Sequence, residues 1–173
     1  MTIASYIGMV LRTMVLMADF THILATRPDF TESDREWLHH LVADWQVIAD
    51  LSFADLLLIV QDGDGNYRIV EQCRPSTVMT LRIDDAVGAL VAPEMVGELD
   101  AAMQSKTVFR STVLRAVGKS TVCNVYAPVR HDGKTLGLVV RETNMATRES
   151  NGRYESESIN AGKQLYEMIP RGQ

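Results

Sequence analysis

Leu56-Leu57-Leu58-Ile59-Val60, closed by Gln61-Asp62-Gly63-Asp64-Gly65-Asn66, is the stretch that decides how this chain folds. Five apolar residues in succession, followed by a Gly/Asp/Asn cluster, read as a strand buried on both faces and ended by a turn. Tyr67 to Arg74 is its partner strand, so the two form an antiparallel hairpin. Upstream, Ser33-Asp34-Arg35-Glu36 has the spacing of a capping box, with the Ser33 hydroxyl and the Glu36 carboxylate exchanging hydrogen bonds across the first turn of a helix. Within that helix Trp37, Leu38, Leu41, Val42, Trp45, Ile48 and Ala49 recur at three and four, to about Leu51.

Downstream the pattern loosens from Pro75 to Lys106. Pro93, Met95, Val96, Leu99 and Met103 mark one short helix there. Val108 to Val117, Thr121 to Arg130 and Thr135 to Glu142 then read as three strands, the last two joined by His131-Asp132-Gly133-Lys134. A final helix carries Tyr154, Ile159, Leu165, Tyr166, Met168 and Ile169 before Pro170 and Gly172 stop it. These elements predict an α+β fold, a central antiparallel sheet of five or six strands with the N- and C-terminal helices packed on one face. That is the layout of GAF and PAS sensor modules, and periodicity does not separate the two. The other face, under residues 75–106, is where a pocket is expected.

The chain has 173 residues, 46% apolar and 23% charged, with 17 basic against 22 acidic side chains. A net charge of −5 supplies neither the basic field that nucleic acid demands nor a polybasic membrane patch, so neither partner is expected. Cys73 and Cys123, without a CxxC motif, are the usage of a reducing cytoplasm. Residues 3–11 are apolar but lack a basic lead and a cleavage site, and Arg12 interrupts them. Residues 1–17 are therefore read as an extension or mis-assigned start, 18–32 as a lead-in and 33–172 as the sensor domain.

No residue pattern carries catalysis or metal binding. Asp62, Asp64 and Asn66 start like a calcium loop, but Tyr67 stands where glycine is required and Cys73 where the bidentate Glu belongs. His39-His40 reads as a pair of solvated helix residues. Arg74, Asp84, Asp85, Arg110, Asn124 and Tyr126 are the candidates for a ligand pocket, each equally a surface or turn residue taken individually. Cys73, beside Arg74, is the redox candidate, because a neighbouring guanidinium lowers a thiol pKa; a lone strand cysteine is otherwise a small buried hydrophobe.

The run WQVIADLSFADLLL, Trp45 to Leu58, closely resembles the signature of the N-terminal sensor domain of actinobacterial PdtaS-type histidine kinases. The likeness continues at Gln72 to Thr77, Asp84 to Gly88, Ala127 to Gly133, Val140 to Asn144 and Tyr166 to Ile169, and spans roughly Thr31 to Gly172. The resemblance implies a GAF-like, cytosolic signal-input domain without catalysis or cofactor of its own. In full-length members a PAS domain, a phosphoacceptor domain and a catalytic domain using ATP and Mg follow it. It further implies a homodimeric protein-histidine kinase, a small-molecule or redox signal, regulation through the C-terminal helix, and a response regulator with an RNA-binding antitermination domain. Leu38-His39-His40-Leu41-Val42 lacks the Arg, Lys and paired Asn of the phosphoacceptor motif, so His39 is not expected to be phosphorylated. Two other readings stand beside this one: a standalone thiol-dependent enzyme on a GAF scaffold, and a dimerisation adaptor without ligand.

Overall fold

The computed structural model describes residues 21–146 and 153–171. Its elements are α1 (Glu32–Ser52), β1 (Asp55–Gln61), β2 (Tyr67–Cys73), a 3-10 turn (Pro93–Met95) leading into α2 (Val96–Gln104), β3 (Phe109–Val117), β4 (Ser120–His131), β5 (Lys134–Asn144) and α3 (Arg153–Met168), which ends in a second 3-10 turn. The five strands form one sheet in the order β2-β1-β5-β4-β3, antiparallel at every pairing. β1 and β5 thus lie inside the sheet, which is why both read as apolar runs.

Alternation along β1 sends neighbours to opposite faces. Leu56, Leu58 and Val60 join Val125, Ala127 and Val139 under Leu38, Trp45 and Ala49 of α1 and under Tyr166 and Ile169 at the C-terminal end. Leu57 and Ile59 join Tyr67, Ile69, Tyr126, Leu138 and Val140 under Met95, Leu99 and Ala102. Two layers therefore cover the sheet, one from the terminal helices and one from α2, as the sequence pattern requires. The side chains of Tyr154 and Ile159, like residues 1–17, lie outside the described residues.

Two local details differ from expectation. The capping box of α1 is Thr31 with Asp34, not Ser33 with Glu36: Asp34 N–H donates to Thr31 Oγ1 (3.1 Å) and Thr31 N–H donates to Asp34 Oδ2 (2.9 Å). The same spacing occurs two residues upstream, and Asp34 is also held by His131 Nδ1 at 3.0 Å, whereas Ser33 and Glu36 face solvent. The packed core also starts before residue 33, because Ile23, Leu24 and Phe30 are buried in the cluster beneath α1.

The hairpin joining β4 to β5 is a two-residue turn with both Asp132 (φ 48) and Gly133 (φ 79) in the left-handed region, the arrangement that matches strand twist. Where α3 meets the end of α1, Gly162 is buried. A Cβ there would lie 2.7 Å from Ser52 Oγ and 3.0 Å from the Leu51 carbonyl carbon, so glycine sets how closely the two helices approach.

Candidate functional site

At one end of the sheet, on the face covered by α2, three polar residues sit side by side across three strands. Asp55 on β1 is opposite Glu142 on β5, and Glu142 is opposite Asn124 on β4. Each is 1% exposed. Like charges directly opposite across a sheet are unfavourable, so this row demands compensation. The segment between β2 and α2 supplies it. Arg82 donates to Glu142 through Nε (2.6 Å) and Nη2 (2.9 Å), a bidentate pair that raises the guanidinium pKa further. Asp55 accepts from the Leu81 N–H at 2.8 Å and from the Thr80 hydroxyl.

The same strap is tied at its start to the end of α1. Ser76 N–H donates to Asp50 Oδ1 at 2.6 Å and the Thr77 hydroxyl to the Asp50 carbonyl at 3.0 Å. Further along, Arg68 donates to the Gly88 carbonyl at 2.9 Å and Ala86 N–H to Gln72 Oε1 at 3.0 Å. Residues 76–88 are therefore held by hydrogen bonds and an ion pair, with Met79 and Ile83 left pointing into solvent.

Beside the row, Glu98 on α2 gathers three donors: the Tyr126 hydroxyl (2.7 Å), the Ser111 hydroxyl (2.8 Å) and Arg115 Nη2 (3.3 Å). Burial works to raise the Glu98 carboxyl, but these bonds outweigh it and its pKa falls. Burial, with the Glu98 charge, pushes the Tyr126 phenol up to about 12, so it stays neutral and donates. Since that single proton goes to Glu98, the Tyr126 oxygen accepts from Asn124 Nδ2 at 3.3 Å, which fixes the amide orientation. Asn124 Oδ1 is then turned away from the tyrosine. It and Arg115 Nε are buried without a hydrogen-bond partner among the described residues.

Both residues line one cavity of about 470 Å³, whose walls also include Arg82, Glu142, Glu94, Met95 and β3 from Val113 to Val117. A larger hollow, about 600 Å³, lies beside the β1–β2 turn. There Asp62 already accepts from Asp64 N–H, Asn66 N–H and Arg68 Nε at 2.9–3.0 Å, so that hollow shows no comparable demand.

The six candidate residues are not brought together. Asn124 lines the cavity and Tyr126 stands behind it. Arg74 is committed to the strap, donating to the carbonyls of Arg82, Ile83 and Asp84. Asp84 and Arg110 are exposed, and Asp85 closes a local turn by accepting from Val87 N–H. No local pattern in the sequence marks Asp55, Arg82, Glu98, Arg115 or Glu142 as site residues. The available signal was alternation in β5, which puts Glu142 on the same face as Leu138 and Val140.

Cys73 is a buried free thiol on β2. It donates to Gln46 Oε1 at 3.2 Å, and burial, together with Asp50, Glu71 and Asp55, pushes it up to about 12. The Arg74 charge that was expected to lower it is turned to the strap carbonyls instead. Cys123 lies three strands away, roughly 14 Å at ordinary strand spacing, beyond disulfide reach. Among the described residues no group of three or more His, Cys, Asp or Glu is placed to hold a metal, and no helix is long and apolar enough to cross a membrane.

A five-stranded antiparallel sheet, terminal helices on one face and a strapped cavity on the other define a sensor module of the GAF kind. A family model described as "Histidine kinase PdtaS, GAF domain" matches residues 20–161, and the chain belongs to that family. It is 30% identical over 159 residues to the sensor histidine kinase PdtaS of Mycolicibacterium smegmatis, and 31% identical over 163 residues to that of Mycobacterium tuberculosis. Each match takes in 90% of this chain and 32% of the relative, so the chain spans about a third of the curated relatives' length. Among solved structures, the sensor region of a sensor histidine kinase superposes with a TM-score of 0.71 at 28% identity, covering 88% of this chain and 53% of that one.

Proposed function

We propose that this domain is the signal-input part of a histidine kinase, that its cavity beside Asn124 is where the signal binds, and that the response leaves through α3. The observation that carries the reading is Tyr166. Its buried hydroxyl lies between the carbonyl of Val125 on β4, at 2.6 Å, and that of Val139 on β5. β4 and β5 also carry Asn124 and Glu142 at the cavity. A ligand that changes the separation of these strands changes the seat of Tyr166, and with it the terminal helix. Such a ligand acts only if it binds the two packings unequally.

In this reading the segment performs no catalysis. ATP and Mg bind downstream in the parent polypeptide, which phosphorylates its own histidine as a homodimer and passes phosphate to a response regulator with an RNA-binding antitermination domain. The distance between the two cysteines and the suppressed Cys73 thiol argue against the thiol-enzyme alternative. The apolar groove between α1 and α3, walled by Trp37, Leu41, Ile48 and Leu165, favours self-association through the helices.

The test replaces the matching segment of Mycolicibacterium smegmatis PdtaS with this domain and measures autophosphorylation. Tyr166→Phe is expected to change the rate severalfold while the domain stays folded. Equal rates for the folded variant and the unaltered chimera would remove α3 as the output.

A further inference from the structure

Taking the cavity as the input site, we infer that residues 76–85 are its lid, a loop that opens and closes as one unit with the Arg82–Glu142 pair as its latch. Apolar packing does not hold this loop down. None of its residues is buried, none belongs to either apolar layer, and Met79 and Ile83 are 92% and 86% exposed. The fixed points lie just outside it, at buried Pro75 on one side and on the other at Ala86, which packs against the α2 layer. A segment with few buried apolar contacts opens locally at a lower free energy than the whole domain.

The loop is closed on itself. Arg74, at its base, donates to the carbonyls of Arg82, Ile83 and Asp84 at 2.8–3.3 Å, and Arg82 N–H donates to Thr80 Oγ1 at 3.1 Å, so its far end is tied to its near end. It is fastened to the rest of the domain at three carboxylates: Asp50 of α1 on Ser76 N–H, Asp55 of β1 on Leu81 N–H, and Glu142 of β5 on Arg82. Asp55 and Glu142 are each 1% exposed. Lifting the loop lets water reach both, so opening exchanges protein donors for water and strands no charge in the interior. Arg82 and Glu142 both line the cavity, so a ligand entering there meets the latch. The Asp50 tether adjoins Leu51 and Ser52, against which Gly162 packs, and this sets the lid beside the junction of α1 with α3.

The two anchored amides, Ser76 N–H on Asp50 and Leu81 N–H on Asp55, read the opening by residue-resolved hydrogen exchange on the full 173-residue chain. In the unaltered chain they are expected to share one protection factor, lower than that of the β5 amides. Asp50→Ala removes the Ser76 anchor and leaves the Leu81 anchor in place, yet it should speed exchange at Leu81 about tenfold, the worth of one hydrogen bond to a charged group. Reciprocally, Arg82→Lys keeps the charge beside Glu142 but loses the bidentate pair, and should speed exchange at Ser76 by a similar factor. Each variant tests the coupling by itself should the other fail to fold. Leu81 unchanged in Asp50→Ala, or Ser76 unchanged in Arg82→Lys, would show anchors that open separately and would overturn the lid. So would protection of both amides equal to that of β5, the mark of exchange by global unfolding. Exchange is read without any kinase, so either failure overturns the lid alone and leaves the α3 output to the chimera.

Discussion

Removing the Arg82 side chain tests the polar row most directly. Arg82→Met keeps the length of the aliphatic stem and deletes the cation paired with Glu142, whose side chain is 1% exposed and faces Asp55 across the sheet. Breaking a buried pair by deleting one partner typically costs about 3–5 kcal/mol, because the remaining charge is stranded. The Arg82 side chain keeps 25% exposure, so water already reaches part of the pair and the lower end, about 3 kcal/mol, applies. For a domain of this size that is roughly 6–12 °C in Tm. Thermal and urea unfolding followed by circular dichroism measure it. The double variant Arg82→Met, Glu142→Gln should recover most of the loss, since a neutral amide no longer needs a cation. A single variant melting within about 2 °C of the parent, or a double variant no better than the single, would refute the assignment of this pair as compensation for the row.

Four further outcomes are expected. Tyr166→Phe should cost about 1 kcal/mol by urea unfolding, one buried hydrogen bond, with little change in secondary structure. Gly162→Ala should destabilise by about 1–3 kcal/mol by the same assay, although alanine is the better helix former, because its methyl would meet Ser52 and the Leu51 carbonyl carbon. Burial raises the Asp34 carboxyl, but hydrogen bonds from His131 and Thr31 with the Lys134 charge outweigh it and bring it to about 2 from 3.8; its contribution is therefore present above pH 3.8 and lost between 3.8 and about 2, and Asp34→Asn should flatten the stability profile in that window. Trp45→Asp, placing an unpaired charge at a position 6% exposed on the buried face of α1, should leave no cooperative melting transition.

The sheet and its two helical layers were legible because each rests on a local pattern. The LLLIV run, the three-and-four spacing around Trp45 and the Asp132-Gly133 turn all place themselves. The shifted capping box shows where local spacing stops deciding: two boxes fit, and His131, 97 residues away from Asp34, selects one. The polar row is non-local throughout. Asp55 meets Glu142 only through the β1–β5 pairing, and Arg82 reaches Glu142 from 60 positions away, across an irregular segment with no period to read. Arg74, Asp84 and Asp85 are charges in or beside that segment, yet the chain uses Arg74 and Asp85 to hold the segment's own shape. Asn124 and Tyr126 were within reach because they stand on a strand whose alternation points them at the same face.

β5 lies third of five in the sheet and serves both sides of it, with Glu142 facing the strap and the Val139 carbonyl meeting Tyr166. Sliding this strand by one residue would turn the carboxylate toward the terminal helices and carry apolar side chains out of both layers at once. The two layers therefore lock the alignment of β5 from opposite sides, and neither can be repacked around a slipped strand without the other.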